Sequence, residues 1–425
     1  MSAAAAYARV LRSGGFGRLW LGSSVSLLGD GMTLLALSWF VVERQGAGGL
    51  GLLGFCFSAP VVVGGLLVGP LLDRWDKRTV MIADSVLRAA CVGSVPVAAA
   101  AGGVPRWLPF AVAAVHGLLK MVPMAGFPAL IPELVDESGL DTANALESLS
   151  FSVATVVGPA VAGVLVGAVG APRVLIVDAA SFLAFAALTA TVRRPASPAP
   201  AGPVAEDAEG AEGNTAPVAG TSMRDVLRDP VIAVTTVAFM LFNIADGMLL
   251  LVIGPWLAKN ELSGGASALG GLVAALAAGE CLGALLAGSR TADSAVRPLL
   301  RRIGLLQTGA ALGFLGVLGE PRTVVVGAGF FAVGLLSAPM TVRAQSLRMR
   351  RIPPGLHGRA FAWLRTLMQG TAPLGSVAAA LFLDHGGLVP AALTMALVAG
   401  LPGLYLLLAP VTGRRPVRAA AARGR

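Results

Sequence analysis

Two acids in this chain stand where water does not ordinarily reach. Asp30 lies in "LLGDGMTLLAL" and Asp246 in "FNIADGMLLLV", each heading an Asp-Gly-Met inside an apolar run. A charged side chain at the centre of a hydrocarbon layer costs about 2.5 kcal/mol or more, so such an acid is a functional candidate by default. A carboxyl group withdrawn from water takes up a proton more readily and can release it when its surroundings change. Proton carriage is the chemistry this permits, and Asp30 and Asp246 are the candidates for it. Other polar residues lie in the same runs. His116 and Lys120 are spaced i, i+4 on one helical face, Asn243 precedes Asp246 by a turn, and Arg343 falls near one end of its run. These four are further functional candidates on the same ground. Asp178, Glu280 and Arg365 with Gln369 are further polar intrusions. Two readings of Asp30 stay open: a proton carrier, or a salt bridge with Lys120 that removes both charges from the chemistry. An alternation between the two states would reconcile them.

Most other chemistry is set aside by what is missing. None of the three lysines falls in G-x-x-x-x-G-K-[ST], so no nucleotide-binding loop is expected to drive the protein. His116, His357 and His385 are scattered, without H-E-x-x-H or Cys/His ligand spacing, so neither a metal site nor a metalloprotease is expected. No cofactor is implied. Cys56, Cys91 and Cys281 all lie in apolar runs, which argues against a disulfide framework. The chain reads as a non-enzyme whose energy comes from an ion gradient.

The elements that must position these residues are membrane helices. Hydrophobic residues make up 56% of the 425, and charged ones only 13%, about half the usual share in a soluble domain. Runs of about 20 apolar residues can cross a bilayer as helices. They are expected at 17–42, 50–72, 79–101, 107–131, 148–170 and 172–192, then at 231–257, 266–289, 303–319, 322–345, 359–383 and 388–410. The first run is full length and lacks a short apolar core with a cleavage site, so it is expected to remain as a span. Between the two sets, "RRPASPAPAGPVAEDAEGAEGNTAPVAG" is too polar and too rich in Pro and Gly to bury a core, and disorder is expected. "TSMRDVLRD" after it suits a short interfacial helix. The net charge of +9 does not point to nucleic acid, because the basic residues sit in short loops. With both termini cytoplasmic, 23 of the 32 Lys and Arg fall on the inner side, 5 on the outer side and 4 within spans. That bias sets the expected topology. The inner loop "PELVDESGLD" departs from it, being acidic throughout.

The chain also repeats itself. Asp246 follows Asp30 by 216 residues, Pro339 follows Pro123 by 216, and Arg290 follows Arg74 by 216. Six spans per half give both halves the same orientation, an arrangement of parallel repeats related by an axis along the membrane normal.

"GPLLDRWDKRTV", residues 69–80, joins spans two and three and resembles the signature G-x-L-x-D-R-x-G-R-[KR] of the major facilitator superfamily. Gly69, Leu71, Asp73, Arg74, Lys77 and Arg78 match it, and Asp76 stands in place of the glycine. Gly65 and Gly69 offer a small face for close helix packing. The resemblance implies that Asp73 sits at the N-terminus of span eleven and latches a cytoplasmic gate. Asp84 and Arg88, i, i+4 in span three, read first as a self-neutralising pair and second as a relay to this gate. Gly158-Pro159 with Gly163 in span five resembles the G-P-x-x-G-G core of an antiporter motif found in exporters, departing at Ala154 and Ala162. "IPELVDESGLDTANAL" and "RIPPGLHGRAFAWLRTL" are similar to loops of the twelve-span drug:proton antiporters that include macrolide and enterobactin exporters.

The resemblance implies an all-α fold of twelve transmembrane helices in two pseudo-symmetric six-helix bundles, with spans one, four, seven and ten around a central cavity, which makes His116, Lys120, Asn243 and Arg343 candidates to line the substrate cavity. The expected division is 1–192 for the first bundle, 193–230 for a cytoplasmic linker, 231–412 for the second bundle and 413–425 for a basic cytoplasmic tail. The expected function is proton-driven export of a lipophilic small molecule by a monomer in the cytoplasmic membrane. An importer of the same fold and a non-transporting sensor or scaffold are the alternatives.

Overall fold

The computed structural model describes residues 3–136, 139–192, 226, 228–288, 295–352 and 357–408. Every secondary-structure element among them is helical. Most of the linker, most of the interfacial segment at 221–229, the tail from 409 and the side chain of Asp73 lie outside the described residues.

Among the described residues ten helices are long and apolar enough to cross a membrane; counting the doubled-back Phe16–Arg74 as two and adding Val296–Gly313 gives the twelve expected spans. Spans one and two share the helix Phe16–Arg74, which at 59 residues would reach about 89 Å if straight, nearly three bilayer cores. It turns back at Gly46, whose φ of 62° is open to glycine at little steric penalty. A Cβ on Gly49 would lie 2.9 Å from Val41 Cγ1, so the two arms meet across the bend. Span three is Lys77–Ala100, span four Leu108–Leu119 with Met121–Leu134, span five Leu140–Val169 and span six Ala171–Thr191. Span seven runs from Pro230 to Asn260, span eight is Gly265–Gly288, and span nine is Val296–Gly313 with the short 3₁₀ turn Phe314–Leu318. Span ten is Thr323–Arg351, span eleven His357–Gln369 with Ala372–His385, and span twelve Leu388–Leu408. The offset of 216 recurs in the helix ends: His385 follows Val169 by 216 residues, and Leu388 follows Ala171 by 217. One further helix, Ala3–Arg12, precedes span one and was not foreseen from the hydropathy.

Close packing inside each half relies on small residues, as it must where lipid supplies no hydrophobic drive between helices. Cβ atoms on Gly64 and Gly117 would strike the backbones of Leu118 and Phe57 at 1.9 and 2.0 Å, locking span two to span four. Gly279 and Gly334 do the same for spans eight and ten against Phe331 O and Leu276 O.

The halves meet at the end away from the basic loops. Gly163 of span five lies on Gly270 of span eight so tightly that either Cβ would come within 3.0 Å of the other backbone. Ser267 Oγ donates to Gly163 O at 3.3 Å, and Lys259 Nζ donates to Val42 O at 2.7 Å. Gly51 of span two packs on Ser376 and Ala380 of span eleven. The polar contacts described at the basic end each stay within one half: Lys77 with Glu133 at 2.5 Å, Arg78 Nε to Thr189 O at 3.0 Å, and Arg351 with Asp229 at 2.7 Å.

Three helix interruptions fall beside the interface between the halves. Span four changes from one helix to the next at Lys120, just before Pro123, which has no N–H to give Leu119. Span seven contains a π turn over Leu249–Ile253, where Gly254 N–H reaches back to Leu249 O ahead of Pro255. Span eleven breaks at Gly370–Thr371, and Thr371 Oγ1 donates to Met240 O at 2.8 Å to tie the break to span seven.

Candidate transport cavity

Between the halves lies a cavity of about 470 Å³, lined mainly by apolar side chains from spans one, two, four, five, seven, eight and eleven. Asp30, His116 and Lys120 face it from the first half, and Asn243, Asp246 and Glu280 from the second. Pro159 lies in the same wall. Arg343 is not part of the lining and turns back on its own helix, with Nη1 donating to Pro339 O at 3.3 Å.

The first-half wall is a connected charge cluster. Arg88, 1% exposed, donates from Nη1 to Asp30 Oδ1 at 3.0 Å and pairs through Nε with Asp84 at 3.2 Å. His116 Nε2 is 3.5 Å from the same Asp30 oxygen, and its ring stacks on Phe57 and meets Phe182 edge-on. The Arg88 guanidinium lies 5.5 Å from the Phe182 ring centre. Lys120, the partner in the salt-bridge reading of Asp30, makes no ion pair with it within 4 Å; its ammonium lies 5.2 Å above the Phe57 ring instead. Arg88 takes that place: span three packs mainly on span six, and the long Arg88 side chain reaches from it to Asp30 on span one. The reading of Asp84 and Arg88 as a pair closed on itself is corrected at the same point: the pair exists, but its cation is shared with Asp30. Asp178, fully buried, sits one layer deeper, accepting from Thr33 Oγ1 and from Ser181 Oγ at 3.1 Å. The space for it comes from Gly29, where a Cβ would lie 2.0 Å from Asp178 Oδ1.

The second-half wall is built differently. Asp246 has no ion-pair or hydrogen-bond partner among the described residues, and Glu280 faces the same space from span eight. Asn243 Nδ2 donates to Met368 O at 3.0 Å, joining span seven to the break in span eleven. At an offset of 216, Asp84, Arg88, His116 and Lys120 correspond to Leu300, Gly304, Ala332 and Leu336, so the cluster has no copy in this half. Near the basic end, Asp229 caps span seven through Val231 N and Ile232 N and is gripped by Arg351, both side chains nearly inaccessible. Arg348 is 2% exposed over the Phe239 ring, with Nε and Nη2 unpartnered among the described residues. Neither arginine's surroundings can be read from sequence spacing alone.

The remaining motif residues have these places. Gly158 lies on Leu28 and Gly31, and Gly163 on Gly270 of the other half. Lys77 and Arg78 hold the ends of spans four and six, and Arg74 is exposed. Asp76, at the departure from the signature, accepts from Thr79 N at 3.1 Å and so caps span three. The close packing expected at Gly65 and Gly69 is absent: a Cβ on Gly69 would meet nothing within 4 Å, since the halves touch at the other end. Among the described residues, no three His, Cys, Asp or Glu gather as a metal site.

Comparisons agree with this architecture. The chain is 27% identical over 369 residues to the uncharacterized MFS-type transporter y4rN of Sinorhizobium fredii, covering 86% of this chain and 88% of that one. It is 24% identical over 383 residues to macrolide efflux protein A of Streptococcus pyogenes, covering 88% and 90%. The fold superposes on the crystal structure of nucleoside transporter NupG with a TM-score of 0.68 at 13% identity, over 92% of this chain and 97% of that one. The family model described as transmembrane secretion effector matches residues 4–413. The chain therefore belongs to that family of the major facilitator superfamily, and is a multi-pass membrane transporter of small molecules.

Proposed function

We propose that this transporter exports a lipophilic small molecule in exchange for protons, by rocking of the 1–192 and 231–412 bundles about the cavity between them. The observation that carries the reading is Asp30, a cavity-lining carboxyl in contact with Arg88 and His116. An acid placed there can pass a proton between the cavity and either side of the membrane as access alternates. The largely apolar lining suits a lipophilic cargo. A relative named as a macrolide efflux protein supports the outward direction. The bias of basic residues supports cytoplasmic termini, which makes the observed arrangement, sealed at the far end, the inward-facing one.

The test is transport by the purified chain in liposomes, with a panel of macrolides and lipophilic dyes and an imposed pH gradient. Substrate should move against the proton flux in the wild type. Asp30→Asn should bind substrate yet lose gradient-driven movement, whereas Asp246→Asn should weaken binding and keep driven transport. Driven transport that survives in Asp30→Asn overturns the assignment.

A further inference from the structure

We infer that Asp84 is a positioning residue for proton uptake: by occupying Arg88 from within span three, it leaves Asp30 as the cavity carboxylate without a cation of its own. The inference rests on the reading of Asp30 as the proton carrier.

The geometry supplies the reasoning. One guanidinium lies between two carboxylates, Nη1 on Asp30 at 3.0 Å and Nε on Asp84 at 3.2 Å, with Arg88 and Asp84 nearly inaccessible and Asp30 exposed only toward the cavity. With His116 neutral, the contacting set holds two negative charges and one positive. The wider surroundings do not restore the balance. Lys120 comes from span four and Asp178 from span six, so the acids Asp30, Asp84 and Asp178 outnumber the cations Arg88 and Lys120 by one. Across the cavity stand the further acids Asp246 and Glu280, with Arg365 on span eleven toward Lys120. A largely desolvated cluster with one carboxylate in excess relieves that excess by taking a proton.

Access then decides which acid takes it. Asp84 is 7% exposed and outside the cavity lining, and Asp178 is fully buried with two hydroxyl donors. Asp30 alone of the three opens on the cavity. Asp84 thus acts through Arg88. If it were neutral, Arg88 would belong wholly to Asp30, the excess would vanish, and the carboxylate would have little reason to take a proton.

The experiment needs no substrate. The full chain in lipid nanodiscs is titrated with protons alone, while difference infrared spectroscopy follows the carbonyl stretch of a protonated carboxyl group. The wild type should show such a band and Asp30→Asn should lack it. In Asp84→Asn the pH at which the band is half-developed should fall by about one unit or more, the order by which an opposite charge at contact moves a carboxyl group. Asp84→Glu should restore the wild-type midpoint. The double substitution Asp84→Asn/Arg88→Gln removes both charges, so the excess returns and the midpoint should lie at or above that of the wild type. A purely structural role for Asp84 does not give that reversal. A midpoint unmoved in Asp84→Asn, or lowered in the double variant, overturns the inference, and the second outcome can be read even if the single variant does not fold. A band unchanged in Asp30→Asn would instead overturn the underlying assignment of the proton carrier.

Discussion

Arg88 Nη1 meets Asp30 Oδ1 at 3.0 Å across 58 residues of chain, while Nε of the same side chain keeps Asp84 at hand one turn away. A single cation therefore ties span three to the cavity wall of span one. Removing it strands a buried carboxylate, which in folded proteins costs about 3–5 kcal/mol. Arg88→Gln should melt well below the wild type in a thermal unfolding assay, and Asp84→Asn/Arg88→Gln should recover part of the loss. A double variant no more stable than the single one would show that the two residues do not act as a unit.

Gly29 is a second point where one atom decides the packing. Its added Cβ would sit 2.0 Å from Asp178 Oδ1 and 2.4 Å from Ser181 Oγ, forcing the carboxylate off Thr33. Gly29→Ala should lower stability by about 1–3 kcal/mol, the range for overfilling a packed interior. Gly69→Ala, with open space around its Cβ, is the matched control and should leave the melting temperature unchanged.

The Asp229–Arg351 pair combines a salt bridge with a helix cap. Asp229 Oδ1 accepts from Val231 N at 2.9 Å and Ile232 N at 3.1 Å, while Arg351 binds Oδ2 at 2.7 Å. Asp229→Asn should destabilise the second half more than an exposed substitution does, by about 3 kcal/mol. Exchanging the charges, Asp229→Arg with Arg351→Asp, should fail to rescue, because arginine has no acceptor for the two backbone N–H groups. Full rescue by the exchange would reduce the pair to simple charge attraction.

Opening the far end requires the contacts there to part. Gly270→Val would drive a side chain into Pro159 O and Gly163, whose distances from a Cβ at 270 are 2.6 and 2.9 Å. A cysteine at Ser38, in a background lacking Cys56, Cys91 and Cys281, should then react with an impermeant thiol reagent added outside. Lys259→Met, which loses the bond to Val42 O, should give a smaller increase. Equal labelling in the Gly270→Val and parental proteins would place the seal elsewhere.

The spans were readable because a 20-residue apolar run has few places to go besides a bilayer, and the repeat because both halves kept their helix ends in step. Depth along a span was readable for Asp30, His116 and Lys120, and all three face the cavity. Which cation belongs to which acid was not. Arg88 falls i, i+4 from Asp84, and that spacing looks complete without a third partner. Only the folded arrangement shows that the guanidinium reaches past its own helix to span one. Asp178 stands out in the sequence as a polar intrusion, but its pocket does not, because it is made by a missing side chain at Gly29 and an absence leaves no periodic trace. The helix Ala3–Arg12 was missed because its apolar face is short and alanine-rich.

The charge cluster present in one half and absent from the other makes the two copies unequal heirs of the same ancestral unit. Asp30, Asp84, Arg88 and His116 in the first half constrain one another, so a change at any of them disturbs the rest. Asp246 has no such obligations, and the wall around it can vary freely. Adaptation to a new cargo thus has an open route through spans seven, eight and eleven that leaves the charge cluster untouched, as an interchangeable die leaves its press.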